Sequence, residues 1–206
     1  MLTINPIAPY PSTIFKFDYP NTPNLLDRLY ALDCEAYGPH AVDRSILERW
    51  VNTCPESITL ILADGEIAGA FGLLAISEEQ IRQFIAGNLK EAEFNCLPGT
   101  IENHRFWYWS GIVLANKYRL SRSSPLRKLL SWGIDCWLTS DRLAQNAYVF
   151  SSPCSQEGQN LLNRFKFNQI KSAEEMADGI PLYVRQIVDP QQMRSELRRL
   201  VSWLQL

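Results

Sequence analysis

The segment that decides the fold is residues 105–137, RFWYWSGIVLANKYRLSRSSPLRKLLSWGIDCW. Its opening part, residues 106–113, is aromatic and β-branched with almost no charge, which is typical of a strand buried on both faces. A polar, basic stretch follows, and Pro125 stands where the first residue of a helix tolerates a missing N–H. Apolar residues then recur at helical spacing. The segment therefore predicts a strand, a basic loop and a helix.

The loop between this strand and helix combines two features that favour an anion. A helix N-terminus presents free N–H groups, and Arg119 and Arg122 precede it closely in the sequence. A phosphate is the anion that this combination favours. The alternative is an ordinary solvated turn that carries two arginines.

Length and composition bound the class of protein. The 206 residues fit one domain with a sizeable core, and 46% hydrophobic with 20% charged residues is a globular composition. A net charge of −2 argues against nucleic acid as a partner, because neutralising phosphates requires a basic surface. Any anion site must therefore be local.

The cysteines and histidines argue against two further classes of protein, those held together by disulfides and those that bind a metal. The five cysteines are widely spaced, odd in number and without a C-x-x-C pair, which indicates reduced thiols and a cytoplasmic location. With only His40 and His104 available, no metal site is expected. The N-terminus does not have the pattern of a signal peptide, and no segment approaches the roughly 20 apolar residues that a transmembrane helix needs.

Working outward toward the N-terminus, the pattern predicts a hairpin preceded by two helices. Residues 57–76 are two apolar runs separated by Asp64-Gly65, a strong signal for a tight hairpin turn. A capping-box pattern at residues 77–80 predicts a helix after it. Residues 23–37 and 43–51 have helical spacing. Residues 1–22 are rich in proline, which predicts an extended arm with one short strand at residues 13–17.

Toward the C-terminus, the sequence pattern predicts a series of strands and helices. Strands are predicted at residues 147–151, 167–170 and 180–187, with a helix over residues 155–165. Asp189-Pro190 then caps an amphipathic helix that ends the chain.

The element order predicts an α/β (α+β) fold, with a mixed sheet and helices on both faces. It divides the chain into an arm at residues 1–22, a domain at residues 23–188, and a helix at residues 189–206 packed on that domain.

This order, with three stretches of sequence, resembles the GNAT superfamily of acyl-CoA-dependent N-acyltransferases over residues 23–188. ITLILADGEIAGAFGLL, residues 58–74, is similar to the family's second and third strands. YWSGIVLANKYRLSRSSPLRKLLSWGI, residues 108–134, resembles its fourth strand, pyrophosphate loop and following helix. GQNLLNRFKF, residues 158–167, resembles its late helix and the phenylalanine that closes it.

The resemblance implies a mostly antiparallel central sheet that splays into a V, and transfer of an acyl group, in the first instance acetyl, to a small-molecule amine by direct attack. The co-substrate would be acetyl-CoA or another acyl-CoA. Unpaired backbone of the fourth strand would bind its pantetheine arm, with the Val113 N–H polarising the thioester. A homodimer is compatible with the resemblance. The positions implied for CoA are Ile112, Val113, Leu114, Arg119, Arg122, Ser123, Ser124 and Leu126.

Two departures from the family pattern leave alternatives open. The loop contains no glycine, and Leu162 stands where many members have a tyrosine that protonates the leaving thiolate. One alternative is an enzyme like the N-acyl amino acid synthases, which takes its donor from an acyl carrier protein or uses a long-chain acyl donor. The other is a non-catalytic relative that binds a ligand or a partner.

Candidates for the catalytic base come from the strand that enters the cleft, at Glu102, His104, Tyr108 and Ser110. His104 titrates in the useful range, although a histidine at a strand start is commonly a surface residue. Tyr108 and Ser110 share a face by the period of two.

The resemblance also brings residues after the neighbouring strand to the cleft. These are Ser151, Ser152 and Cys154, of which Cys154 is read first as a small buried filler and only second as a nucleophile. The aromatic run at residues 106–109 is read as core, with one alternate pair available to line an acyl or acceptor pocket.

Overall fold

The computed structural model describes residues 15–98, 104–119, 125–137 and 143–202. At the predicted hairpin, Asp64 and Gly65 both have positive φ, 52° and 81°, which suits a tight turn between right-twisted strands. Strands β2 (Ile58–Ala63) and β3 (Glu66–Ile76) leave this turn antiparallel, so the predicted hairpin is confirmed. Strand β1 (Phe15–Asp18) pairs with β2, which places it at the edge of the sheet.

The remaining strands complete a seven-stranded sheet in the order β1-β2-β3-β4-β5-β7-β6. They are β4 (His104–Leu114), β5 (Leu143–Ser151), β6 (Asn168–Lys171) and β7 (Leu182–Ile187). Within the described residues, β4 and β5 are parallel and every other neighbouring pair is antiparallel. The predicted mixed, mostly antiparallel sheet is confirmed.

The helices begin where the capping signals predict. The Thr22 side chain accepts from the Leu25 N–H, and Ser77 forms a complete capping box with Gln80. The described helices are α1 (Pro23–Tyr37), α2 (Arg44–Thr53), α3 (Glu78–Ile85), α4 (Asn116–Arg119), α5 (Pro125–Trp137), α6 (Gln156–Arg164) and α7 (Pro190–Ser202). Helix α4 occupies part of the expected loop. Among these helices, none is long and apolar enough to cross a membrane.

The helices cover both faces of the sheet, as predicted. One face, the α1 face, is packed by α1, α2 and α3 through side chains such as Leu29, Trp50 and Phe84. The other, the α5 face, is packed by α5, α6 and α7 through Leu129, Leu162, Leu197 and their neighbours. Each strand in the middle of the sheet therefore buries side chains on both sides.

The parallel pair β4–β5 separates part way along its length. Pairing runs from His104 opposite Leu143 to Tyr108 opposite Phe150, and β4 then continues to Leu114 without β5 beside it. The Ser151 hydroxyl donates to the Trp109 carbonyl at 2.9 Å. This hydrogen bond joins the two strands one residue beyond their last paired position. The prediction that residues 111–114 are not paired with β5 is thus confirmed, and we call this unpaired edge of β4, with the space beside it, the fork.

A β-bulge lies at the same place on the opposite edge of β4. Gly72 pairs with Gly111 and Leu74 with Tyr108, so that two residues of β4, Trp109 and Ser110, face one residue of β3. The extra residue changes which residues reach each face, and strand bulges commonly accompany functional sites for this reason. Before it, odd-numbered Trp107 and Trp109 pack on the α5 face; after it, odd-numbered Val113 packs on the α1 face.

Candidate functional site

The backbone of β4 beyond the fork presents polar groups at every second residue. The Ala115 N–H donates to the Ala68 carbonyl at 3.0 Å, which turns residue 115 toward β3. Since direction alternates along a strand, Val113 also faces β3, whereas Ile112 and Leu114 face the fork. The expectation that the Val113 N–H lies at the fork is therefore wrong. The Ile112 N–H lies there instead.

The basic residues follow directly after this edge. Helix α4 carries Arg119, whose Nε donates to the Leu114 carbonyl at 3.3 Å while the side chain stays exposed. Leu126, in the first turn of α5, packs partly buried on the α5 face. Three other residues predicted to bind CoA lie outside the described residues, namely Arg122, Ser123 and Ser124. The expected phosphate site therefore has one described arginine beside the strand edge.

Tyr108 lies on the α1 face next to the fork and is fully buried. Its hydroxyl donates at 2.8 Å to Oε2 of Glu91, a half-buried residue on the 3₁₀ turn Glu91–Glu93. Burial raises the pKa of Glu91 to about 8, and the negative charges of Asp178 and Asp33 add to this, against the hydrogen bond from Tyr108. Glu91 therefore binds or releases a proton near neutral pH.

Helix α1 contributes two further groups to the same face. Burial raises the pKa of Asp33 to about 7. Burial, followed by the charge of Asp33, raises the pKa of Tyr37 well above its ordinary value, against the hydrogen bond that its hydroxyl accepts from the Ile112 backbone N–H. A Cβ at Gly111 would lie 2.5 Å from Tyr37 Oη. The glycine thus lets the tyrosine approach the fork.

We call Asp33, Tyr37, Glu91, Tyr108 and Asp178 the α1-face cluster. Among the described residues, no ion pair involves any of its three carboxyl groups. That part of the chain also has no group of three His, Cys, Asp or Glu residues placed to hold a metal ion. As the pH rises through about 7 to 8 and these carboxyl groups lose their protons, the cluster becomes a locally negative region that suits a cationic ligand.

Ser110 and Cys154, two residues that the sequence analysis brought to the cleft, lie near the cluster. The Ser110 hydroxyl occupies the space above Gly72, in which a side chain at that position would lie. Cys154 is exposed, so its interpretation as a small buried filler is wrong. Partial desolvation still raises the pKa of its thiol, and the negative charges of Glu91 and Asp33 raise it further. Because the thiolate is the nucleophilic form, this environment does not activate Cys154.

His104 lies apart from these groups. It begins β4, four residues before Tyr108 and so about 13 Å away along the strand, where β4 is still paired with β5. Burial lowers the pKa of His104. The structure therefore brings Tyr108 and Ser110 to the fork but not His104, and it adds Asp33, Tyr37 and Glu91, which carry no motif that marks them in the sequence.

Comparisons with known proteins give similarity in structure alone. No family model and no curated protein matches the sequence. The loading GNATL domain of CurA from Lyngbya majuscula is 11% identical, with a TM-score of 0.60 over 84% of this chain and 98% of that chain. The GNAT-like decarboxylase GphF in complex with isobutyryl-CoA is 17% identical, with a TM-score of 0.58 over 84% and 99%.

A third solved structure is the diaminobutyrate acetyltransferase EctA from Paenibacillus lautus, in complex with L-2,4-diaminobutyric acid and coenzyme A. It is 12% identical, with a TM-score of 0.55 over 84% of this chain and 95% of that chain. These similarities show that the chain has the fold of the GNAT superfamily.

Proposed function

We propose that this chain is an N-acyltransferase that transfers an acyl group from a CoA thioester to a small-molecule amine by direct attack at the fork. The observation that carries the proposal is the α1-face cluster, in which Tyr37 approaches Gly111 on the unpaired edge of β4 and carboxyl groups of raised pKa lie close enough to Tyr37 to raise its pKa. One side of the fork thus offers backbone groups to an extended thioester. The other offers negative charge to an amine.

A CoA co-substrate fits the α5 side of the site. Its pantetheine arm would pair with the backbone of Ile112 and Leu114, replacing the Tyr37 hydroxyl as the partner of the Ile112 N–H, and its pyrophosphate would lie at the start of α5. Arg119 stands beside that path and already contacts the strand edge. Arg122, Ser123 and Ser124 complete the proposed phosphate site by their place in the sequence. GphF and EctA were solved with isobutyryl-CoA and coenzyme A, respectively.

We assign the role of general base to Glu91. Free amines are mostly protonated at neutral pH, so a base with a pKa of about 8 is well matched to removing that proton. As one proton moves from the ammonium to Glu91, the amine nitrogen forms a bond to the thioester carbonyl carbon. The carbon–sulfur bond then breaks, and the nitrogen gives up its second proton to the group that has protonated the departing thiolate. Asp178, and Asp33 once the pH rises through about 7, add negative charge beside Glu91 and so hold the incoming ammonium.

We assign protonation of the leaving thiolate to Tyr37. Leu162 is buried on the α5 face and has no proton to donate. Tyr37 faces the Ile112 N–H at the unpaired edge, and its raised pKa keeps the hydroxyl protonated at neutral pH. The tyrosine that the family commonly places on its late helix would thus be replaced by one on α1.

The charge of the cluster favours an amine acceptor over decarboxylation, the reaction named for GphF. A decarboxylase binds a donor that carries a carboxylate. Three acidic side chains on the α1 face would repel such a group and attract an ammonium group. The acidic cluster therefore supports acyl transfer to nitrogen on a fold that the two activities share.

The test has a binding step and a reaction step. Calorimetry with CoA and acetyl-CoA should show binding, and release of the CoA thiol from acetyl-CoA should depend on an added amine from a panel of monoamines and diamines. Binding without release for any amine would favour the non-catalytic alternative. Absence of binding, with transfer from an acylated carrier protein, would replace CoA as the donor.

A further inference from the structure

Trp109 is the residue at the vertex of the fork. Tyr108 is the last residue of β4 paired with β5, and the next carbonyl, that of Trp109, accepts a hydrogen bond from the Ser151 side chain. The Trp109 side chain is only 3% exposed and lies on the α5 face. A thioester aligned along Leu114 and Ile112 toward the vertex would therefore bring its acyl group to this indole.

The indole closes an apolar gap between the sheet and the C-terminal half of the chain. The other residues around that gap include Phe71, Leu130, Phe167, Met193 and Leu197. Among the side chains that the structure describes, none that lines it is polar. The gap lies on the opposite side of the sheet from the α1-face cluster. A hydrocarbon chain that extends from the fork toward the α5 face therefore meets an apolar environment, and Trp109 stands in its way.

The indole is held in this position by several contacts. Its ring stacks on Phe165 at 6.1 Å between centroids and packs on Phe71 at 5.5 Å. Its N–H donates to the Gly111 carbonyl at 3.0 Å. Arg185 in turn donates to the Phe165 carbonyl. Displacing the indole would break these contacts together, so a long acyl chain cannot enter without a substantial cost.

We propose that Trp109 determines the length of the acyl group that the fork accepts, limiting the donor to short chains such as acetyl and propionyl. This inference rests on the proposed function, since it concerns the donor of the same reaction. Replacing Trp109 with alanine would join the apolar gap to the fork. An apolar cavity of about 150 Å³ stays dry and binds a benzene-sized ligand, so the enlarged space would receive a chain of several carbons.

Trp107 provides a matched control for this substitution. It lies two residues earlier on the same strand and face, is fully buried, and donates its indole N–H to a backbone carbonyl, that of His104, at 2.9 Å. It pairs with Val149 before the fork opens. Trp107→Ala therefore removes the same side chain from the same core without enlarging the space at the vertex.

The experiment is calorimetry of CoA, acetyl-CoA and hexanoyl-CoA with the wild type, Trp109→Ala and Trp107→Ala. The wild type should prefer acetyl-CoA over hexanoyl-CoA by about tenfold or more. Trp109→Ala should shift this ratio toward hexanoyl-CoA by about tenfold or more, while Trp107→Ala keeps the ratio of the wild type. Equal binding of both thioesters by the wild type, or the same shift in both variants, would overturn the inference.

A substitute variant and a measurement with unacylated CoA separate the possible results. If Trp109→Ala does not fold, Trp109→Phe with butyryl-CoA takes its place, and an unchanged ratio of butyryl-CoA to acetyl-CoA binding in that variant overturns the inference. CoA without an acyl group should bind all folded variants alike. If the wild type binds no CoA compound, the proposed function fails and the inference fails with it; if all compounds bind but the ratios do not respond to Trp109, the inference alone fails.

Discussion

Glu91 and Asp33 retain protons at a pH where exposed carboxyl groups have lost them. The pKa of Glu91 is raised to about 8 and that of Asp33 to about 7, in both cases chiefly by burial. Carboxyl groups in such an environment commonly belong to functional sites. Both lie close enough to Tyr37 to raise its pKa, and the Tyr37 hydroxyl approaches Gly111 at the unpaired edge of β4, where we propose that the reaction takes place.

The first prediction concerns the base. Glu91→Gln should lower kcat/KM by about a hundredfold or more, because glutamine cannot accept the amine proton. In the wild type, kcat/KM should rise with pH and level off above about 8, as Glu91 loses its proton. An acceptor amine with a pKa well above that value separates its own titration from that of the enzyme. Glu93→Gln, on the same turn, is the control and should keep the profile, whereas an unchanged profile in Glu91→Gln would exclude Glu91.

A second prediction concerns the acid. Tyr37→Phe should lower kcat by about a hundredfold while leaving CoA binding nearly unchanged, because it removes one proton donor and little volume. Acyl donors with a more acidic leaving thiol should recover part of the lost rate. A loss of the same size for every leaving thiol would mean that Tyr37 has a different role.

A third prediction concerns the phosphate site. Arg119→Ala should weaken CoA binding about tenfold to a hundredfold, since a charged hydrogen bond contributes roughly 1.5–3 kcal/mol. The melting temperature should change little, because Arg119 is exposed. Lys117→Ala, in the same short helix, removes an ion pair with Glu66 and serves as the control. Unchanged heat of CoA binding in Arg119→Ala would place the phosphate site elsewhere.

At the scale of elements, the site depends on how β4 passes between its neighbours. The bulge at Trp109 and Ser110 is accommodated because Gly72 on β3 has no side chain, and the Ser110 hydroxyl fills that space. The pairing of β4 with β5 ends at the same place, after Tyr108. Trp109 packs on the α5 face, as Trp107 does, while Gly111 beyond the bulge admits Tyr37 on the other face.

The fourth prediction tests this packing. Gly72→Ala should lower the free energy of unfolding by about 1–3 kcal/mol, because the new Cβ would overlap the Ser110 Oγ. Ser110→Ala should recover most of that loss in the double variant, since the remaining Ser110 Cβ lies 3.6 Å away, an ordinary contact. Urea unfolding of the wild type, both single variants and the double variant measures the coupling. Strictly additive losses would show that the two side chains do not share this space.

At the scale of the whole molecule, opposite pKa shifts set the pH at which the fold is most stable. Asp33 and Glu91 keep their protons in the folded state where the unfolded chain has released them. The folded state then binds more protons, so stability falls as pH rises through that interval. Glu196 acts in the other direction: the hydrogen bond from Lys166, and then Arg185, lower its pKa, so its contribution is lost as pH falls.

The fifth prediction follows from this balance. The wild type should be most stable at mildly acidic pH and should lose stability up to about pH 8. The double variant Asp33→Asn/Glu91→Gln should gain about 1–3 kcal/mol over the wild type at pH 9 and little at pH 5, because it removes two carboxylates that ionise at a cost. Urea unfolding at pH 5, 7 and 9 makes the comparison. A wild type that is most stable at pH 9 would contradict the assigned pKa shifts.

Local signals in the sequence were enough to predict the elements and the fold. The Asp64-Gly65 turn, the Ser77 capping box and the position of Pro125 at the start of α5 are local signals, and the structure has each element where its signal stands. Such signals suffice because turn geometry, capping and the period of apolar residues depend on neighbours within a few positions. The element order then resembled a single fold, and the structural comparisons confirm that fold.

The residues that surround the fork are brought together by tertiary packing and could not be predicted from the sequence. Glu91 meets Tyr108 across 17 residues of sequence, and Asp33 and Tyr37 reach the same place from α1, with no motif to connect them. The sequence instead indicated His104 as a candidate base, because the ordinary pKa of histidine is near neutral. In the structure, His104 lies where β4 is still paired with β5. A pKa is set by burial and by charges through space, and neither is encoded in the spacing of residues along the chain.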